Sequence, residues 1–285
     1  HVVWAPAILA DTSRSVGVPV GVAQQMALAR ELSVQDQGPL SEESSGKPYG
    51  EVIRDYEAVP GVQWRFGKPN YARVNKLYFE HRSKVHAEGS LEAVVNKLVK
   101  NWEVESHHIA DPRQWKTMDT SKFWASVNGG TAADAQTMAD VGPYNMLLGD
   151  TASYTGSDLS FEESNSIFGS TFADGYAFEV LEVLSGPPTV TFKWRHFGKF
   201  SGVFTDSHGT KHQGNGEILN LFGLCIAKVS DSLIIESLEV YYSPEGLLRP
   251  LVQAAGDSDV PSDEGDVRTA ARKEQGPEAA AKQEA

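Results

Sequence analysis

The side chains best suited to moving a proton lie on two stretches that read as β-strands in the C-terminal half of the chain. In TVTFKWRHFGKF (189–200), alternation puts Phe192, Trp194, His196, Gly198 and Phe200 on one face and Thr191, Lys193, Arg195 and Phe197 on the other. An imidazole beside a tryptophan suits general acid–base work, because removal from water lowers a histidine's pKa and keeps the ring ready to accept a proton. The same position also suits a core histidine satisfied by a neighbour, or one at a subunit interface. In SLIIESLEVYY (232–242), Glu239 and Tyr241 share one face while Leu238, Val240 and Tyr242 share the other. An inward Glu239 would supply a carboxylate base, and Tyr241 a hydrogen bond to a developing enolate oxygen. Facing outward, both would be solvated or interfacial. His196, Glu239 and Tyr241 are therefore the candidate acid–base set. Trp194, Phe200, Trp102, Tyr144 and Asn220 are the candidate substrate-lining residues, with core packing or a turn as the competing role for each. Glu179 and Glu182 point to opposite faces by the same parity, so at most one reaches a pocket. Arg195 is expected to form an ion pair.

Other chemistries find less support. Of the eight histidines, His208 and His212 are four apart but lie among glycines that oppose a helix. His107 and His108 are adjacent and, read as strand, point to opposite faces, with Asp111 close enough in sequence to join one of them. Neither pattern has the spacing of a structural or catalytic metal centre, and no metal is expected. Cys225 is the single cysteine, so no intrachain disulfide can form, and its place in the apolar run 221–227 reads as a small buried hydrophobe. The chain has no Walker loop, no Gly-x-Gly-x-x-Gly opening a helix after a strand, and no Gly-x-Ser-x-Gly elbow. Any reaction is therefore expected to proceed without a cofactor.

These residues need a scaffold, and the composition provides one. The 285 residues are 40% hydrophobic, with 6 Trp, 12 Phe and 9 Tyr, enough to build a core. A formal net charge of −13 repels phosphate backbones and anionic lipid heads, so neither nucleic acid nor a membrane surface is an expected partner. No run approaches the ~18 apolar residues of a membrane span. The N-terminal HVVWAPAILADTS lacks the basic region of a signal peptide, which makes the cytoplasm the expected location. Three parts are expected: an arm over 1–48 with a helix near 22–33, a folded domain over 49–252, and an acidic, Ala-rich, disordered tail over 253–285.

Within the domain, helical spacing appears at Tyr71, Val74, Leu77, Tyr78 and His81 after Asn70 as a cap, and more clearly at Leu91, Val94, Val95, Leu98, Val99 and Trp102 after Ser90. A third helix is expected over 133–148, broken near Pro143, and a fourth over 159–173 with Phe161, Phe168 and Phe172 on one stripe. From residue 176 the period changes to two. Four strands are expected, at 176–184, 189–204, 216–229 and 232–242, with short connections that imply antiparallel pairing. Helices followed by a meander is an α+β order.

The stretch WRFGKPNYARVNKLYFEHRSKVHAEGSLEAVVNKLVKNWEVE (64–105), together with FADGYAFEVLEVLSGPP (172–188) and TFKWRHFGKFSGVF (191–204), resembles the plant and fungal pathogen-related proteins. That family is similar to the SnoaL-like polyketide cyclase group, and the likeness spans roughly 49–249. The resemblance implies a cone, with helices packed on a strongly curved antiparallel sheet around a pocket, and a homodimer. It implies a cyclase, isomerase or dehydratase acting on a small hydrophobic metabolite in secondary metabolism. The cyclases' Gly-x-His-x-Gly stands here as Gly198-Lys199-Phe200-Ser201-Gly202, with Phe200 at the histidine position, and their aspartate falls at Tyr242 or Ser243. The cyclase residues thus do not carry over. If Phe200 takes the inward position, Trp194 and His196 also face the pocket. A non-catalytic binder of a hydrophobic ligand and an interaction protein stand as the alternatives to an enzyme.

Overall fold

The computed structural model describes residues 53–253. The expected arm over 1–48 lies outside the described residues, as does the expected tail apart from Gln253. Two helices come first, α1 (Ala72–His81) and α2 (Leu91–His108). Ser90 caps α2 as expected, its hydroxyl accepting from Ala93 at 3.2 Å, whereas the N-cap of α1 is Tyr71 and not Asn70, whose Oδ1 accepts the Ala72 N–H at 2.7 Å from one residue before it. Helix α2 runs one and a half turns past Trp102, so His107 and His108 lie in its last turn, not in a strand. Strands β1 (Trp124–Val127) and β2 (Ala133–Asp134) follow, then α3 (Ala135–Val141) and α4 (Pro143–Leu148). The break expected near Pro143 is made by Gly142, whose φ of 92° is open to glycine and whose missing Cβ leaves room for the Phe161 ring. Helix α5 (Phe161–Thr171) opens on a capping box of Ser160 and Glu163.

The remaining strands are β3 (Tyr176–Ser185), β4 (Thr189–Lys199), β5 (Val203–Thr205), β6 (Lys211–Gln213), β7 (Ile218–Val229) and β8 (Ile235–Tyr242), followed by α6 (Glu245–Gln253). Among the described residues, six of the eight strands form one sheet in the order β2-β1-β8-β7-β4-β3. Its pairings are antiparallel except β1 on β8, which is parallel. The fold class is α+β, with helices on one antiparallel-dominated sheet, as expected. The expected strand over 189–204 is two strands. Phe200 N–H turns to the Glu217 carbonyl, and Gly202 passes so close to the Ser170 carbonyl that a Cβ there would collide with it. The chain leaves the sheet at that point and β5 pairs with β6 instead.

Register sets the two faces of the sheet. Val180, Trp194, Gly223 and Tyr242 follow one another across four strands, with Phe178 diagonal to Trp194 on the same inner face, which α2 covers. Glu179, Arg195 and Phe222 share the outer face. A register shift between Val180 and Glu182 breaks the expected alternation of Glu179 and Glu182. Both carboxylates consequently face outward. Glu179 takes Arg195 Nε at 3.1 Å, and Glu182 takes Lys193 Nζ at 2.8 Å. Helix α1 wraps the β3 edge, packing Leu77 and Tyr78 on Ala177 and Phe197. Among the described residues no helix is long and apolar enough to cross a membrane.

Candidate functional site

A cavity of about 130 Å³ lies between α2 and the inner face of β3, β4, β7 and β8, closed at its sides by α4 and α6. That is many times the ~10–15 Å³ that holds one water. Most of its wall is aliphatic: Leu91, Val95 and Val99 from α2 face Val190, Leu238 and Val240 from the sheet. Such a surface rewards an apolar occupant.

Polar side chains enter the wall from a few places. His196 and Tyr176 arrive from β4 and β3 with ring centroids 3.7 Å apart. His107 and Glu103 come from α2, and Tyr144 from α4 stands edge-on to His107 at 5.4 Å. Glu103 and His107 continue the i+4 row of Val95 and Val99, so the helix stripe that is apolar for two turns becomes titratable for the next. Arg54 closes this end from behind. Its Nη2 donates to Glu103 Oε2 at 2.9 Å, its side chain is only 4% exposed, and its guanidinium lies 3.8 Å over the Tyr71 ring.

Burial governs the titration of these groups. Desolvation pushes the His196 imidazole down to about 4, opposed in part by the Glu103 charge and the Tyr176 backbone carbonyl. It also lowers His107 and takes neighbouring His108 to about 3. The phenols of Tyr144 and Tyr176 are driven upward by burial and remain protonated donors at neutral pH. Cys225 also lines the cavity, with its thiol pushed up to about 12 by burial, so it is an inert wall atom rather than a nucleophile. The site therefore offers two neutral imidazoles, two phenol donors and one compensated carboxylate beside an apolar chamber.

Of the candidate acid–base and substrate-lining residues, His196, Trp194, Trp102 and Tyr144 line the cavity. The others do not. Glu239 and Tyr241 lie on the outer face and bond each other, Tyr241 Oη donating to Glu239 Oε2 at 2.8 Å. Parity grouped them correctly but did not say which group faces inward. Leu238, Val240 and Tyr242 take the inner side because they are the apolar set. Asn220 is exposed on the outer face of β7. Phe200 is fully buried, but beyond the end of β4 and outside the cavity wall. The carboxylate that shares the cavity wall with His196 is thus Glu103, which the sequence reading passed over along with Tyr176, while His107 was weighed there only as a metal ligand. Among the described residues no three His, Cys, Asp or Glu side chains are grouped to hold a metal ion.

No family model matches the chain. A pathogen-related protein of Hordeum vulgare is 34% identical over 226 residues, covering 76% of this chain and 94% of the barley protein. Among solved structures, a candidate SnoaL-like polyketide cyclase from Jannaschia sp. CCS1 is 12% identical, with 61% of this chain and all of that one covered and a TM-score of 0.30. A candidate polyketide cyclase from Acidithiobacillus ferrooxidans is 13% identical over 58% of this chain and 99% of its own, with a TM-score of 0.33.

Proposed function

The chain belongs to the pathogen-related protein family, and from that premise we propose that it takes a small hydrophobic metabolite into the cavity and transfers a proton within it, as a cofactor-independent cyclase, isomerase or dehydratase. One observation carries this reading: a neutral imidazole, His196, opens into a chamber whose walls are otherwise mostly apolar. In such a chamber the ligand's own C–H or O–H is the proton source. His196 takes that proton on its free ring nitrogen and returns it to another atom of the same molecule, or to a departing hydroxyl as water. No net charge leaves the pocket in either case. Glu103 compensates the imidazolium while it exists, since its charge already favours that form.

Incubating the protein with a small-molecule extract and following it by mass spectrometry should show one hydrophobic species converted to a product of equal mass, or of mass lower by one water. The His196→Asn variant should lose at least ~100-fold in rate, the low end of what a positioned acid–base group supplies, while still capturing the starting compound. An undiminished rate in that variant would remove His196 from the chemistry.

A second reading, sequestration without turnover, is favoured by the ion pair between Arg54 and Glu103. The Arg54 guanidinium already occupies Glu103 Oε2, so that oxygen is engaged rather than turned to a ligand. Capture without conversion by either protein would select it. A homodimer is part of the same proposal. It is supported by the outer sheet face, where Phe222 is 58% exposed next to Leu224 and Ile226 of the same strand face.

A further inference from the structure

We propose that the cavity selects an uncharged molecule carrying a hydrogen-bond-accepting oxygen, such as a ketone or aldehyde, and that Tyr176 is the residue that reads this oxygen. The inference rests on the ligand-binding reading above and narrows it to a chemical class.

The Tyr176 hydroxyl is buried and has no hydrogen-bond partner among the described residues. It cannot swing away to find one. Its ring is stacked on Phe172 at 4.4 Å on one side and against His196 at 3.7 Å on another. Gly198, opposite it on β4, has no side chain because a Cβ there would stand 2.8 Å from the ring. A phenol held this firmly is a preorganised donor, and in an apolar cavity an unmet donor favours whatever brings an acceptor.

Charge narrows the class further. A carboxylate would enter beside Glu103, and both imidazoles there are neutral near pH 7. The nearby cations are turned elsewhere. Arg54 is engaged by Glu103, Asn75 and the Tyr71 ring, and Lys100 donates to the Phe178 carbonyl and lies 4.1 Å over the Tyr78 ring. Among the described residues no Lys or Arg lines the cavity to offset the desolvation of an anion. An ammonium group would meet a single carboxylate, Glu103, which it must share with Arg54, and a mostly aliphatic wall that returns none of its hydration.

Three probes of one shape separate these terms: 2-acetylnaphthalene, 2-ethylnaphthalene and 2-naphthoate, titrated calorimetrically at pH 7.5 into the full chain. The ketone should bind about tenfold more tightly than the hydrocarbon, and the carboxylate most weakly. Tyr176→Phe should erase the ketone's advantage and leave the hydrocarbon's affinity unchanged. The variant should melt no lower than the parent, since the lost hydroxyl bonds to none of the described residues. If ketone and hydrocarbon bind alike in the parent, if naphthoate binds best, or if the ketone keeps its advantage in Tyr176→Phe, the inference fails while the cavity remains a ligand site. Should none of the three bind, the ligand-binding reading fails with it.

Discussion

Arg54 and Glu103 decide the electrostatics of the polar end more than any histidine does. Both are largely withdrawn from water and their atoms are 2.9 Å apart, so each is the other's main compensation. Replacing one member of such a pair strands the other. Arg54→Met is therefore expected to cost about 3–5 kcal/mol, measured by urea unfolding. The double variant Arg54→Met/Glu103→Gln should recover most of that loss, and equal losses in single and double variants would show that the two residues are not coupled. Neither residue announced itself in the sequence. Arg54 is 49 positions from Glu103, and only folding brings them together. Glu103 and His107 did leave a trace, as the continuation of the Val95–Val99 row, but a row that turns from apolar to charged also marks a helix leaving the core. His196 was legible because a strand has only two faces and Trp194 shares its own. Glu239 and Tyr241 stayed open between the two faces for the complementary reason. Period two divides a strand into two sets, and only burial of Leu238 and Val240 says which set is inside.

The elements around the cavity leave it open because one strand lacks a side chain at the crossing point. On the inner face Trp194 of β4 is followed by Gly223 of β7 and then Tyr242 of β8. A Cβ on Gly223 would stand 2.2 Å from Trp194 Cζ2, so the indole lies flat over the glycine, edge-on to Tyr242 at 5.5 Å. Gly223→Ala should force the indole off the sheet and into the chamber. The expected outcome is a loss of about 1–3 kcal/mol from strain and repacking, together with lost uptake of 2-ethylnaphthalene. Uptake equal to the parent's would mean that the ring finds room elsewhere. The helices and the long strands were legible from spacing and a cap, because Ser90 and the apolar stripes agree. Other elements were not. Strand β1 has four residues, too few to show a period, and it joins β8 in parallel through long-range pairing. Helix α6 contains Pro250, which argues against a helix locally, yet Leu247, Leu248 and Leu251 are buried on one side and hold it. The bulge in β3 that turns Glu182 outward has no local signature either.

At the scale of the whole molecule, the cavity binds the fold's stability to pH. His107, His108 and His196 are all depressed below the ordinary 6.5, chiefly by burial, with His196 at about 4 and His108 at about 3. Between pH 6.5 and 4 the unfolded chain therefore binds more protons at these sites than the folded one, and stability rises with pH through that window. Read downward, the contribution is intact above pH 6.5 and is lost as the pH falls toward 4. His196 and His108 are each worth on the order of 2 kcal/mol by pH 4.5, or roughly 4–8 °C in the melting midpoint for a domain of this size. Glu105 works in the opposite direction. Its carboxyl is raised by burial against the bonds from Thr117 and Lys116, so the folded state holds its proton more tightly and the group offsets part of the histidines' loss as the pH falls from that raised value to the ordinary 4.5. The midpoint should therefore fall as the pH drops from 6.5 toward 4, by less than the histidines alone would give. A flat profile from pH 7 to 4.5 would mean that the imidazoles are solvated, and then neither a dry cavity nor a neutral His196 could be retained. His108→Gln provides the control, because it removes one of the depressed groups without touching the cavity wall. Its profile should be shallower than the parent's by about one histidine's share, and a ligand bound in the chamber should raise the midpoint of both proteins equally.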